Sequence, residues 1–172
     1  MNASAVLGSS CRQRVHNRVA MSTTTAQTIR DFLGHRSLAL VGFSRSGRKF
    51  SNSVFRELTQ KGYQVFPINP SAEQVGDVKV FKSLKDLPER VKAAIVMVPK
   101  SATPGVVREA AEAGIDSLWI QQGAESAEAL QVCEEKNLSV VSGRCILMFA
   151  EPAIWLHRIH RGVLKLFGRL PK

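Results

Sequence analysis

A short apolar run turns into a polar, glycine-containing loop at residues 38–51, which read LALVGFSRSGRKFS. The first four residues are typical of a buried strand. The helical spacing of Val54, Phe55 and Leu58 beyond the loop predicts a helix. A helix that follows a strand in this way directs free backbone N–H groups and the positive end of its dipole at the loop. The segment therefore predicts a strand–loop–helix unit that can hold an anion.

Strand and helix signals alternate along the rest of the chain. Further apolar runs predict strands at residues 65–68, 93–98, 118–120 and 138–141, with a short edge strand at 78–81. Thr103 and Pro104 are expected to cap and open one intervening helix, and Ser126 to cap another. This alternation indicates βαβ units and a parallel sheet. We expect a Rossmann-like, doubly wound α/β fold with three layers (α/β/α) and strand order 3-2-1-4-5-6.

The net charge of +10 comes from the two ends of the chain. Residues 1–30 hold four Arg and no acid, residues 152–172 hold five basic residues and no acid, and residues 31–151 hold 15 basic and 14 acidic residues. DNA-binding domains carry a basic face on the folded body, so we expect no nucleic-acid partner. Three cysteines without a CxxC pair suit a reducing, cytoplasmic compartment. No apolar run approaches the ~20 residues that cross a membrane.

The chain is predicted to have three segments. Residues 1–24 are polar and aperiodic, and we expect a disordered extension. Three interpretations are open: translation that starts at Met21, an organellar transit peptide and a solvated tail. Residues 25–150 are expected to form the folded domain. Residues 151–172 space basic and apolar side chains three and four apart, which predicts a basic amphipathic helix. We expect it to pack on the domain, with contact to an anionic membrane surface as the alternative.

The loop after the first strand combines two glycines, three hydroxyls and three cations. These predicted phosphate ligands are Gly42, Ser44, Arg45, Ser46, Gly47, Arg48, Lys49 and Ser51. The GxGxxG fingerprint is absent, and Asn69 and Pro70 stand where an acid would bind the ribose of NAD, which leaves NADP open. The two glycines have P-loop spacing, but Arg and Lys occupy its Lys and Ser/Thr positions, so we do not expect ATP hydrolysis.

Six segments together carry a family resemblance, at residues 41–44, 62–70, 83–88, 96–99, 118–124 and 144–148. In this order and spacing they resemble the stand-alone CoA-binding domain family, whose fold is shared with the amino-terminal domain of the alpha subunit of succinyl-CoA synthetase. The resemblance implies coenzyme A as the cofactor. It implies phosphate contacts from residues 44–47 and from the turn at Asn69 and Pro70, extending to Ser71. Further lining is implied at Val98, Pro99, Gln121 and Gln122.

The synthetase places a lysine near the position of Ser71, and Lys100 is the expected substitute here. Its phosphorylated histidine lies on a second domain with no counterpart in this sequence. The resemblance therefore implies binding of CoA or an acyl-CoA by a carrier, sensor or regulatory module, with no catalytic or metal-binding residue. The alternatives are an NADP-binding oxidoreductase and a subunit of an acyl-CoA synthetase that needs a partner chain. The sequence leaves open whether the protein forms a homo-oligomer.

Two other candidate sites are weaker. Cys145 follows the last predicted strand, and we expect a small buried residue rather than a thiol nucleophile, since no histidine is near in sequence. His157 and His160 are three residues apart, but no further ligand accompanies them, so we expect no metal site.

Overall fold

A five-stranded parallel sheet lies at the centre of the computed structural model, which describes residues 24–150. The strands are β1 (Ser37–Val41), β2 (Gln64–Ile68), β3 (Gln74–Val75), β4 (Val78–Lys79), β5 (Ala93–Val96), β6 (Ser117–Gln121) and β7 (Ser139–Arg144). The helices are α1 (Ala26–Gly34), α2 (Phe50–Gln60), α3 (Thr103–Glu112) and α4 (Ala127–Glu135). Two 3₁₀ turns span Leu84–Asp86 and Ile146–Met148. The central sheet has the order β2-β1-β5-β6-β7.

Helices cover both faces of this sheet because its strands are apolar on both sides. Along β1, Leu38 and Leu40 pack with α1 and α2, whereas Ala39 and Val41 belong to the core beneath α3 and α4. The ring of Trp119 is fully buried at the centre of the α1 side, and its Nε1–H donates to the Arg144 carbonyl at 2.9 Å. The predicted Rossmann-like, three-layer α/β fold is confirmed.

The prediction that residues 78–81 form the third strand of that sheet is wrong. β4 pairs antiparallel with β3 across a two-residue turn in which Gly76 has a positive φ of 58°, as hairpin turns favour. Only Phe81 remains beside β2, where it forms an isolated parallel bridge with Ile68. The hairpin uses the residues that would have extended the sheet. The expected six-stranded order is thus reduced to five strands and one bridge at the place of strand three.

One predicted helix cap is confirmed and another is wrong. Ser126 caps α4, and its Oγ accepts a hydrogen bond from Ala129 N–H at 3.2 Å. The N-cap of α3 is Ala102 rather than Thr103. Thr103 is instead the first residue of α3, and its buried hydroxyl donates to the Ala124 carbonyl at 2.7 Å, which satisfies a carbonyl oxygen in the core.

The two ends of the chain lie almost wholly outside the described residues. This applies to the predicted extension at residues 1–24, except Thr24, and to the predicted helix at residues 151–172 with its two histidines. Thr24 Oγ1 accepts a hydrogen bond from Ser142 N–H at 3.0 Å, at the edge strand β7. Within residues 24–150, no helix is both long enough and apolar enough to cross a membrane.

Candidate functional site

A cleft of about 920 Å³ opens at the carboxyl ends of β1, β2 and β5. Successive strands are added to opposite sides of β1, so this is the point where the strand order reverses and where ligands bind in open α/β sheets. The volume is within the range of about 300–1,000 Å³ that small-molecule sites occupy. Ten of the predicted site residues line the cleft: Gly42, Ser44, Arg45, Ser46, Lys49, Ser51, Asn69, Pro70, Val98 and Pro99.

Gly42 turns the chain sharply where β1 ends. Its φ is +99°, and a Cβ at this position would collide with the carbonyl oxygen of Met97 and lie 2.7 Å from its carbonyl carbon. The N–H groups of Gly42 and Phe43 both donate to the Ile68 carbonyl at 3.1 Å. The start of the loop is therefore fixed between β2 on one side and the chain leaving β5 on the other.

Three serine side chains hold the loop in a tight curve. Ser44 Oγ and Ser46 Oγ share a hydrogen bond of 3.1 Å, and Ser51 Oγ accepts from the Ser44 N–H at 3.2 Å. Ser46 Oγ is also 3.4 Å from the Arg48 N–H, which donates to it. A hydroxyl that accepts a bond from the backbone still has its own O–H to donate. One O–H of the Ser44–Ser46 pair is used in their shared bond, and the other remains to donate to an anion without loss of the bonds that shape the loop.

Two asparagine side chains tie the loop to its neighbours. Asn52 is buried in the first turn of α2, where its Nδ2 donates to the Ser44 carbonyl at 2.9 Å and its Oδ1 accepts from Lys49 N–H at 3.1 Å. Asn69 Nδ2 donates to the Phe43 carbonyl at 2.6 Å. Sequence reasoning missed Asn52, because it is three residues after the N-cap Lys49, whereas the readable capping-box signature has Ser or Thr at the cap and Glu or Gln at this position.

Among residues 24–150, the cations that line the cleft come from two places. Arg45 and Lys49 come from the loop, and Lys82 comes from the segment after the Phe81 bridge. Lys82 was not predicted. Its Nζ forms an ion pair of 2.6 Å with the Glu73 carboxylate. That hydrogen bond holds the pKa of Glu73 below its ordinary value and raises the pKa of Lys82.

One carboxylate, that of Glu109 on α3, also lines the described cleft. The side chain is half-buried, and its Oε1 accepts a hydrogen bond from the Leu84 N–H at 3.0 Å. This bond joins α3 to the 3₁₀ turn at Leu84–Asp86 and gives the carboxylate a structural partner. Elsewhere in the described range, no cluster of three His, Cys, Asp or Glu side chains could hold a metal ion.

Five predicted ligands lie outside the cleft lining: Gly47, Arg48, Lys100, Gln121 and Gln122. Gln121 is buried, and its Oε1 accepts from the Ile146 N–H at 3.2 Å, so it supports the turn after β7. The Gly47 carbonyl accepts from the Arg56 guanidinium at 3.2 Å. Their ligand roles stay predictions. Cys145 packs against the core on the α1 side, but it is half-buried and not fully buried as expected.

An aromatic ring and an apolar wall complete the cleft. Phe50, the first residue of α2, is 49% exposed and is the one exposed large apolar side chain within residues 24–150. Across the cleft, Met97, Val98 and Val106 supply apolar surface. Cations, hydroxyls and a helix start thus adjoin an exposed ring and an aliphatic wall. This combination suits a ligand that has phosphates, a flat base and an uncharged arm.

Comparisons with known proteins agree with that chemistry. The model of a family described as "CoA binding domain" matches residues 36–151. The uncharacterized protein YneT of Bacillus subtilis is 31% identical over 111 residues, which cover 64% of this chain and 82% of YneT. A solved structure of a hypothetical protein from Pyrococcus horikoshii superposes with a TM-score of 0.71 at 28% identity, covering 80% of this chain and 98% of that one.

Larger enzymes contain a similar segment. The alpha subunit of acetate–CoA ligase (ADP-forming) II from Pyrococcus furiosus is 28% identical over 126 residues, which cover 67% of this chain. The matched part is 28% of that subunit, so the chain spans less than a third of the ligase subunit's length.

Proposed function

Because the chain belongs to the CoA binding domain family, we propose that its cleft binds coenzyme A or an acyl-CoA through a phosphate-binding loop after β1. The family resemblance predicted from the sequence is confirmed. The observation that carries the proposal is that ten residues predicted as ligands line one cleft at the strand-order reversal. The predicted alternative, NADP, receives no support from the relatives.

Each part of the ligand has a matching surface in the cleft. The pyrophosphate is anionic and suits the start of α2, the hydroxyls of Ser44 and Ser46, and the cation of Arg45. The adenine ring can stack on the exposed face of Phe50. The neutral pantetheine arm needs apolar and backbone contacts, which Val98 and Val106 offer beside the carboxyl end of β5.

A carrier, sensor or regulatory role fits this lining best. Within the described residues, the lining holds no histidine or cysteine, and its one carboxylate, Glu109, already accepts a hydrogen bond from the backbone. The loop offers donors and cations, which stabilise a bound polyanion. Free thiols at Cys133 and Cys145 support a reducing, cytoplasmic location.

Titration calorimetry of the full chain with CoA, NAD and NADP tests the proposal. We expect heat with CoA and a weakening of about tenfold or more in Arg45→Ala/Lys49→Ala, because charge-assisted hydrogen bonds to phosphate are lost. Arg30→Ala is the matched control, since Arg30 is an exposed cation on α1 that hydrogen-bonds Gln27 and does not line the cleft. Binding of NADP with no heat from CoA would overturn the proposal.

A second candidate function is that of a subunit in an acyl-CoA synthetase. The Pyrococcus furiosus relative, itself named as the alpha subunit of a ligase, favours this reading. It predicts a hetero-oligomer in which a partner chain supplies the catalytic groups. Gentle affinity purification from the native cell, followed by native mass spectrometry, should then show a second polypeptide at fixed stoichiometry. A monomer or homodimer alone would contradict it.

A further inference from the structure

Lys82 reaches the cleft from outside the phosphate-binding loop. The parallel bridge between Phe81 and Ile68 sets Lys82 level with Asn69, just beyond the carboxyl end of β2. The backbone is fixed there, since the Asn69 N–H donates to the Phe81 carbonyl and the Phe81 N–H donates to the Pro67 carbonyl, both at 2.9 Å. The isolated bridge at Phe81 thus places the cation of Lys82 at the same edge of the sheet as the loop.

The other cations of the described lining, Arg45 and Lys49, both belong to the loop. CoA has two separate anionic groups, a pyrophosphate and a phosphate on the ribose 3′ oxygen. A loop wrapped around the pyrophosphate leaves the 3′-phosphate to be met from another direction. Lys82 is the cation of the described lining that comes from another element of the fold.

The Glu73 carboxylate holds Lys82 in a pair that a phosphate can displace. Both side chains are mostly exposed, 59% for Lys82 and 76% for Glu73, and exposed ion pairs contribute little to stability. A phosphate monoester carries nearly twice the negative charge of a carboxylate at neutral pH. The lysine therefore gains by exchanging Glu73 for the phosphate when the ligand enters.

We infer that Lys82 recognises the 3′-phosphate of CoA and makes the cleft prefer CoA to dephospho-CoA, with Glu73 as the partner that Lys82 leaves on binding. This inference rests on the proposed function. It differs from the sequence-based expectation that Lys100 supplies the missing charge, which stays a prediction, because Lys82 lines the cleft and Lys100 does not.

The test is titration calorimetry of the full chain with CoA and with dephospho-CoA. Lys82→Met should weaken CoA binding about tenfold and leave dephospho-CoA binding unchanged, because one charge-assisted contact is lost with the first ligand alone. Lys82→Arg should keep the preference, and Glu73→Gln should tighten CoA binding severalfold by removing the competitor. Lys79→Met is the matched control, since Lys79 lies over the Phe81 ring and does not line the cleft.

The outcomes separate the two proposals. If the wild-type chain binds both ligands equally, or if Lys82→Met weakens both equally, this inference is overturned while CoA binding stands. If the wild-type chain binds neither ligand, the proposed function fails and the inference fails with it. A circular dichroism spectrum unchanged from wild type establishes that each variant is folded.

Discussion

Replacement of Gly42 by alanine should destabilise the protein far more than the same change at Gly62. Both glycines have positive φ, +99° and +83°, so both substitutions force an L-residue into a region that costs about 1–2 kcal/mol. The lower chain entropy of unfolded alanine offsets about 0.4–1 kcal/mol of that cost. Gly62 ends α2 with nothing within 4 Å of a built Cβ, so Gly62→Ala should lower the free energy of unfolding by about 1 kcal/mol.

The additional cost at Gly42 comes from the Met97 carbonyl group. A Cβ there would lie 2.7 Å from the carbonyl carbon, well inside the contact distance of about 3.5–4.0 Å. The carbonyl has little room to move, because the Met97 N–H donates to the Val41 carbonyl at 2.9 Å and β5 pairs with β1 directly before it. Overpacking of this kind adds about 1–3 kcal/mol. Gly42→Ala should therefore cost about 2–4 kcal/mol in total.

Urea unfolding followed by far-ultraviolet circular dichroism measures both variants against wild type. CoA affinity gives a second readout, since Gly42→Ala displaces the loop from β5 and should weaken binding, whereas Gly62→Ala leaves the cleft intact. Equal losses of stability in the two variants would refute the reasoning. That result would mean that the chain after β5 yields to the new methyl group and that Gly42 serves only its own backbone angle.

Three further predictions concern the cleft, the core and pH. Phe50→Ala should weaken CoA binding about tenfold but leave the binding of 4′-phosphopantetheine, which lacks the base, unchanged in calorimetry; an equal loss for both ligands would contradict stacking on the adenine. Thr103→Val should lower the free energy of unfolding by about 1–3 kcal/mol, because the buried Ala124 carbonyl loses its donor. Thr103→Ser keeps the hydroxyl and should retain most of the wild-type stability. Burial raises the pKa of the Cys133 thiol to about 11. Between about pH 9 and 11 the unfolded thiol is ionised and the folded one is not, so the free energy of unfolding should fall as the pH rises through this window. Cys133→Ala should reduce this fall of stability with pH in urea unfolding. Some of the fall should remain because burial also raises the pKa of Tyr63. An unchanged pH dependence would rule Cys133 out as its source.

The parts of the site that depend on backbone geometry could be predicted from the sequence. A buried strand followed by Gly42 and a polar helix start requires a turn whose N–H groups point outward, whatever the surrounding side chains are. The third strand was harder to predict than the order of the central strands. Gly76 and Asp77 form a hairpin turn between strands of two residues each, and such strands are too short to show a period in the sequence.

The charges of the site could be predicted only in part, because a cation contributes to the site only where the backbone places its side chain in the cleft lining. Arg48 and Lys49 are adjacent in the loop, yet only Lys49, the N-cap of α2, lines the cleft. Lys82 lies more than thirty residues from the loop and reaches the cleft through a single bridge. Sequence spacing carries no signal for such a bridge, since one residue beside β2 has no pattern of its own.

The proposed anion site depends on the carbonyl oxygens of the loop as well as on its cations. Hydrogen bonds to the carbonyls of Phe43, Ser44 and Gly47 come from the side chains of Asn69, Asn52 and Arg56, respectively. A carbonyl oxygen that already accepts a strong hydrogen bond presents less negative potential to a ligand, whereas the N–H groups at the start of α2 keep theirs positive. These side-chain donors therefore act together with the cations of the loop, and the neutral amides of Asn52 and Asn69 do so without adding a charge of their own.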